Sequence, residues 1–145
     1  MVTQVKLTHL AFHVANLDES INFYTKFTSM RTIRERLDQE TQMRVAWLSD
    51  RPPGQETEFV IVLLEGQPTL LTAEKVKPQA PLGPISHLGF AMESREEVDK
   101  IAEMGKQSGI LSFGPAYINE VVAYICILTD PDGHQVEFSY GQVLG

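Results

Sequence analysis

Residues 5–15 (VKLTHLAFHVA) mix β-branched, aromatic and apolar residues with interleaved polar ones, the pattern of a half-buried strand. Asn16 or Asp18 then offers a cap for a helix over Ser20–Phe27, with Ile21, Tyr24 and Phe27 recurring on one face. Three further strands are expected at about 30–37, 42–49 and 58–65, with the turn-forming cluster Asp50-Arg51-Pro52-Pro53-Gly54 before the last. The stretch 66–84 holds four prolines and two glycines without periodicity and reads as a linker. After it the order restarts. Ile85–Met92 reads as a strand, and Ser94 with Glu97 forms a capping-box signature. A helix follows to about Ser108, stopped by Gly109. Strands are expected near 111–113, 117–129 (as one strand or split in two) and 135–140, the last entered through the turn Asp130-Pro131-Asp132-Gly133.

The two halves superimpose as sequences. Thr8-His9-Leu10-Ala11-Phe12 matches Ser86-His87-Leu88-Gly89-Phe90, Val45-Ala46-Trp47 matches Val122-Ala123-Tyr124, and Gly66-Gln67 matches Gly141-Gln142. Three matches in the same order at nearly equal offsets argue for duplication. The expected fold is therefore α+β: two βαβββ modules forming an open, curved mixed sheet around a cleft. Module one covers about 4–67, the linker about 68–83 and module two about 84–142, within a single domain spanning 1–145.

Side chains alternate faces along a strand. His9, Ala11 and His13 share one face, as do His87, Gly89 and Ala91, whereas Leu10, Phe12, Val14, Leu88, Phe90 and Met92 point the other way. The second set suits packing on a helix; the first, small or polar, suits the lining of a cavity. On the last strand Glu137 and Ser139 share a face opposite Phe138 and Tyr140, and a mid-strand carboxylate needs solvent or a partner. A lone strand histidine is more often a hydrogen-bonded core or surface residue than a ligand. The repeat, however, places His9 and His87 at equivalent positions independently of any metal argument. Two histidines and one carboxylate on a common cavity would bind a divalent ion and leave coordination positions open. His13, on the face of His9, is a candidate acid or base or a satisfied polar side chain. His134, after a Pro-Asp-Gly turn, is expected to face solvent.

Composition narrows the partners. A net charge of −7 with no local Lys/Arg cluster disfavours nucleic acid. The longest strongly apolar run, Phe59 to Leu64, is too short to span a bilayer, and the first ten residues lack the layout of a signal peptide. A cytoplasmic location is the default expectation. Cys126 is the only cysteine, so an intrachain disulfide and a CxxC site are both excluded. Its apolar flanks make it a small core residue.

The runs THLAFHVANLDESINFY, SHLGFAM and DPDGHQVEF resemble the vicinal oxygen chelate superfamily, which includes glyoxalase I, bleomycin-binding resistance proteins, fosfomycin-modifying transferases and extradiol dioxygenases. The resemblance covers nearly the whole chain. It implies a metal set of His9, His87 and Glu137. Glyoxalases and epimerases of that superfamily add a fourth Glu or Gln ligand from the last strand of the first module. The repeat places Val62 there, and Glu65 has the opposite strand parity and should point away. A three-ligand set is closer to the fosfomycin transferases and dioxygenases, and implies Fe2+ first, with Zn2+, Ni2+ or Mn2+ as other candidates.

Two functional classes stand side by side at this point. One is a metal enzyme that binds a small substrate through two adjacent oxygens, with extradiol-type dioxygenation or a related lyase or transferase step. His13 or Tyr117 would assist proton transfer there, and the 66–84 and 111–120 segments would line the cleft. The other is a metal-free protein that sequesters a small ligand, as the bleomycin-resistance members do. In both, open sheet edges favour a homodimer.

Overall fold

The computed structural model describes residues 6–39, 42–66, 82, 83 and 85–144. Its contacts form two compact units that divide between Ala80 and Pro81. Most of the linker expected over 66–84 lies outside the described residues.

The first unit runs β1 (His9–Val14), α1 (Leu17–Phe27), β2 (Arg31–Leu37), β3 (Arg44–Ser49) and β4 (Val60–Glu65). Its sheet has the order β1-β4-β3-β2, with β1 and β4 parallel and the other pairs antiparallel. Asn16 is the residue that caps α1, its side-chain oxygen accepting from the Glu19 amide at 3.0 Å. Glu65, at the end of β4, accepts from the Leu17 amide at 2.7 Å. Two otherwise orphaned donors of the helix start are thereby satisfied, and Glu65 lies on the helix side of the sheet as its parity required. Leu17, Phe23, Tyr24 and Phe27 are buried on the inner face of α1. Burial of each such side chain contributes roughly 1.5–3 kcal/mol. The Tyr24 ring meets Phe12 of β1 edge-on at 6.2 Å and Phe23 at 5.0 Å.

The second unit repeats the plan with β5 (Leu88–Ala91), α2 (Arg95–Gln107), β6 (Leu111–Tyr117), β7 (Tyr124–Thr129) and β8 (Gln135–Tyr140) in the order β5-β8-β7-β6. Ser94 caps α2, accepting from the Glu97 amide at 3.2 Å, and Gly109 ends it at φ +72°. Val98, Ala102 and Gly105 form the buried stripe of this helix. A Cβ at Gly105 would lie 2.2 Å from a Leu128 methyl on β7, so Leu128 would have to shift to admit one. Phe90 and Phe138 stack at 5.8 Å on the neighbouring parallel strands β5 and β8. The architecture is thus the expected α+β duplication, realised as two four-stranded mixed sheets.

One expected segment proves split and two expectations need correction. Over 117–129, β6 continues to Tyr117 and β7 starts only at Tyr124. Between them the Asn119 side chain accepts from the Val121 and Val122 amides, and Ala123 adopts φ +63°. The tripeptide match of Val45-Ala46-Trp47 with Val122-Ala123-Tyr124 is consequently out of register. Trp47 pairs with Val62 and Ile127 pairs with Glu137, so Trp47 corresponds to Ile127. Lastly, His134 is 2% exposed rather than solvent-facing. The Asp130 carboxylate accepts from the amides of Asp132 and His134 at 2.9 and 2.8 Å, which draws the turn inward.

Cys126 is fully buried, with Sγ 3.7 Å from the Val98 carbonyl of α2. Burial, with smaller contributions from the charges of Asp99 and Glu137, pushes its thiol up to about 12. Native protein at pH 8 should therefore resist an aromatic disulfide reagent and react fully only after unfolding. The native state binds this proton more tightly than the unfolded chain, so the thiol's share of stability should fall as pH rises between about 9 and 12. Rapid labelling of the folded protein at pH 8 would contradict this placement.

Candidate metal centre

In each unit the parallel strand pair decides which side chains look away from the helix. Along β1, Phe12 and Val14 are buried, while His9 and Ala11 are exposed and His13 is half-buried. Directly opposite residues share a face, and Ala11 pairs with Val62. In the second unit Gly89 pairs with Glu137 by the same parallel geometry. Val62 therefore holds in the first sheet the position that Glu137 holds in the second.

His9 and His87 stand in equivalent local settings. The Thr8 hydroxyl lies 2.9 Å from His9 Nδ1, and the Ser86 hydroxyl lies 3.0 Å from His87 Nδ1. Each ring thus has one nitrogen engaged by the preceding residue, leaving Nε2 directed elsewhere. For His87 that direction is Glu137, whose Oε2 lies 3.7 Å from Nε2. The Glu137 side chain is only 6% exposed. Its other oxygen, Oε1, accepts from the Gln142 amide at 3.1 Å, and the Ser139 hydroxyl donates onward to Gln142 Oε1 at 3.4 Å. A cavity of about 250 Å³ opens on this face, lined among others by His87, Gly89, Glu137, Ser139 and Gln142.

This donor pair fits a divalent ion. Two metal–ligand bonds of roughly 2.1 Å reach donors up to about 4.2 Å apart, and the uncommitted atoms of His87 and Glu137 fall inside that span. Engagement of the remote imidazole nitrogen and of the second carboxylate oxygen is the support that metal ligands require. Among the described residues no three His, Cys, Asp or Glu side chains of the chain come together as one cluster. His9 belongs to the first unit, on the face lined by Val60 and Val62.

The two candidates for proton transfer are placed less favourably. Tyr117 pairs with Tyr124 and lies under the Arg95 guanidinium of α2 at 5.8 Å, on the helix face of its sheet and away from Glu137. His13 lies four residues beyond His9, roughly 13 Å along the strand at the usual rise. Its Nδ1 is buried without a hydrogen-bond partner. The residues that sequence reasoning missed are Ser86, Thr8 and Gln142. A hydroxyl immediately before each repeated histidine was the visible signal for the first two; Gln142 stood in the repeat as the partner of Gln67 but carried no chemical cue.

The family model for the Glyoxalase/Bleomycin resistance protein/Dioxygenase superfamily matches residues 6–138. The chain belongs to this superfamily. An uncharacterised protein of Pseudomonas aeruginosa is 41% identical over 140 residues, covering 96% of this chain and 91% of that one. A probable trivalent organoarsenical cleaving enzyme of Bacillus subtilis is 27% identical over 143 residues, covering 94% of this chain and 80% of its own length. Among solved structures, the fosfomycin resistance protein FosX of Listeria monocytogenes, complexed with Mn(II) and a dihydroxypropylphosphonic acid, matches with a TM-score of 0.64 at 19% identity. It covers 99% of this chain and 96% of that one. At that identity the likeness speaks for the superfamily fold.

The Gln142 contact generates a test that needs no metal. Gln142→Ala removes a donor from a buried carboxylate and should lower stability by about 1–2 kcal/mol, read as a shifted urea midpoint with an unchanged slope. An unshifted midpoint would mean that the amide does not support Glu137.

Proposed function

We propose that this superfamily member is a divalent-metal-dependent enzyme in which His9, His87 and Glu137 hold one ion, Fe(II) foremost, and a small substrate binds through two adjacent oxygens. The observation that carries this reading is the pair His87 Nε2 and Glu137 Oε2, 3.7 Å apart, with Ser86 and Gln142 already engaging the other atom of each group. Two histidines and one carboxylate form a set that leaves coordination positions open, as in non-heme iron oxygenases. Bound there, the ion would supply Lewis-acid polarisation of adjacent substrate oxygens and, as Fe(II), dioxygen activation.

The chain's own residues supply the rest. Thr8 and Ser86 orient the imidazoles, and Gln142 orients the carboxylate. Val62, standing where a fourth ligand would project, keeps that position apolar and uncharged. The reaction class that suits three protein ligands is extradiol-type dioxygenation, ahead of lyase or transferase steps. The Listeria structure, which contains Mn(II), supports a divalent ion in a related fold. The name of the Bacillus relative suggests arsenical chemistry, but trivalent arsenic favours thiolates. This chain's one cysteine faces α2 with its thiol held at about 12. A homodimer belongs to the same reading, supported by the exposed apolar side chains Phe113, Tyr117, Ile118 and Val121 along and after β6.

Protein purified anaerobically without chelators should carry about one divalent ion per chain by elemental analysis. His87→Ala should abolish that stoichiometry while leaving the circular dichroism spectrum intact. Ser86→Ala should weaken the ion roughly 10–100-fold, as loss of an outer support does. Val62→Glu should tighten it by adding a ligand on the same face. Absence of metal even after reloading would overturn the enzyme reading in favour of ligand sequestration.

A further inference from the structure

The first sheet carries a feature that metal ligation does not use. A cavity of about 500 Å³ opens on the His9 face, lined chiefly by apolar atoms of Ala11, Ile33, Trp47, Val60 and Val62. Arg34 is the one Arg or Lys on its wall among the described residues, with its guanidinium 5.2 Å from the centre of the Trp47 ring. A break in strand pairing places it there. The β2–β3 register shifts between Thr32 and Arg34, so that Arg34 rather than Ile33 stands opposite Trp47. A bulge of this kind turns two successive side chains toward one face, and both Ile33 and Arg34 do line the cavity.

The charge also has no ion-pair partner among the described residues. Arg31 donates to the Arg51 carbonyl at 2.7 Å, and Arg36 lies 3.6 Å from Asp38. Among the described residues Arg34 has no carboxylate within ion-pair distance, although the chain carries a net charge of −7. Arg34, Trp47, Val62 and Ala11 lie opposite one another in a row across the four strands. Two inter-strand spacings, about 10 Å of sheet, separate Arg34 from Val62. That row is an apolar surface with a positive charge at one end and the His9 strand at the other.

We propose that this cavity is a subsite for an aromatic carboxylate, whose ring lies against Trp47 and Val62 and whose anionic group pairs with Arg34. An aromatic ring bearing a carboxylate spans most of the row, and guanidinium pairs with carboxylate in two parallel hydrogen bonds. That this ligand is the substrate rests on the metal-enzyme reading above; its binding does not.

Trp47 is the only tryptophan, so its fluorescence reports on this subsite alone. Titration of metal-free protein with 3-phenylpropionate should change the emission saturably. The uncharged 3-phenylpropionamide should bind at least about tenfold more weakly, the equivalent of roughly 1.4 kcal/mol. Arg34→Gln should erase the preference for the acid, and Arg34→Lys should restore only part of it. Equal affinity for acid and amide in the unaltered protein, no response to either probe, or a preference that survives Arg34→Gln would each overturn the proposal. Metal content of Arg34→Gln should equal that of the unaltered protein, which separates the two readings. Preference for the acid in a protein that takes up no metal upholds the subsite and removes the enzyme. Metal uptake without that preference does the reverse.

Discussion

The constraint on which the structure depends is the parallel pairing of the first and last strands in each unit. Because facing residues share a side, this pairing puts Phe12 and Val14 against α1 and leaves His9, Ala11 and Val62 on the opposite face. In the second unit it brings Gly89 beside Glu137. A one-residue slip in either pair would send the histidine or the carboxylate into the helix-covered core, where neither has a partner. Core packing and candidate chemistry are therefore set by the same register.

The helices are tied to that register by charge as well as by apolar contact. Glu65 ends β4, accepts from the first amide of α1 and lies 3.6 Å from Arg44, which also forms a two-point contact with Asp18 at 2.7 and 3.1 Å. This arrangement holds the Asp18 carboxyl below its usual range, chiefly through hydrogen bonding to the guanidinium. Asp18 is well exposed and Arg44 half-buried, so the pair acts more on orientation than on stability. In the second unit the Arg95 guanidinium lies 4.9 Å from the Tyr124 ring, whose hydroxyl donates to Asp99 of α2. Helix and sheet are thus fastened by different chemistry in the two halves while the strand order stays the same.

Much of this was legible in the amino-acid order. Strand alternation identified the faces of His9, His87 and Glu137, and the Ser94-to-Glu97 spacing marked the start of α2. The repeat correctly placed Val62 opposite Glu137, because Gly66 and Gly141 both end their strands at positive φ. What failed depended on partners distant in the chain. Trp47 and Tyr124 look alike in sequence, but register is decided by the neighbouring strand, and Tyr124 only begins β7. The burial of His134 follows from carboxylate-to-backbone bonds within its turn, whereas residue type suggested exposure. The bulge before Arg34 has no local signature, since its position emerges only when β2 is laid against β3.

The unlike residues at one equivalent position, Val62 and Glu137, have a consequence for how a duplicated protein can change. A repeat starts with redundant copies of every position, and each copy is then free to drift toward a separate task. Here the second half retains the carboxylate with its amide support, and the first half presents an apolar wall and an indole with a guanidinium over its ring. Innovation in ligand preference can accumulate on the first half without disturbing the donors on the second. Division of labour between twin halves gives such a chain room to diversify while its scaffold stays constant.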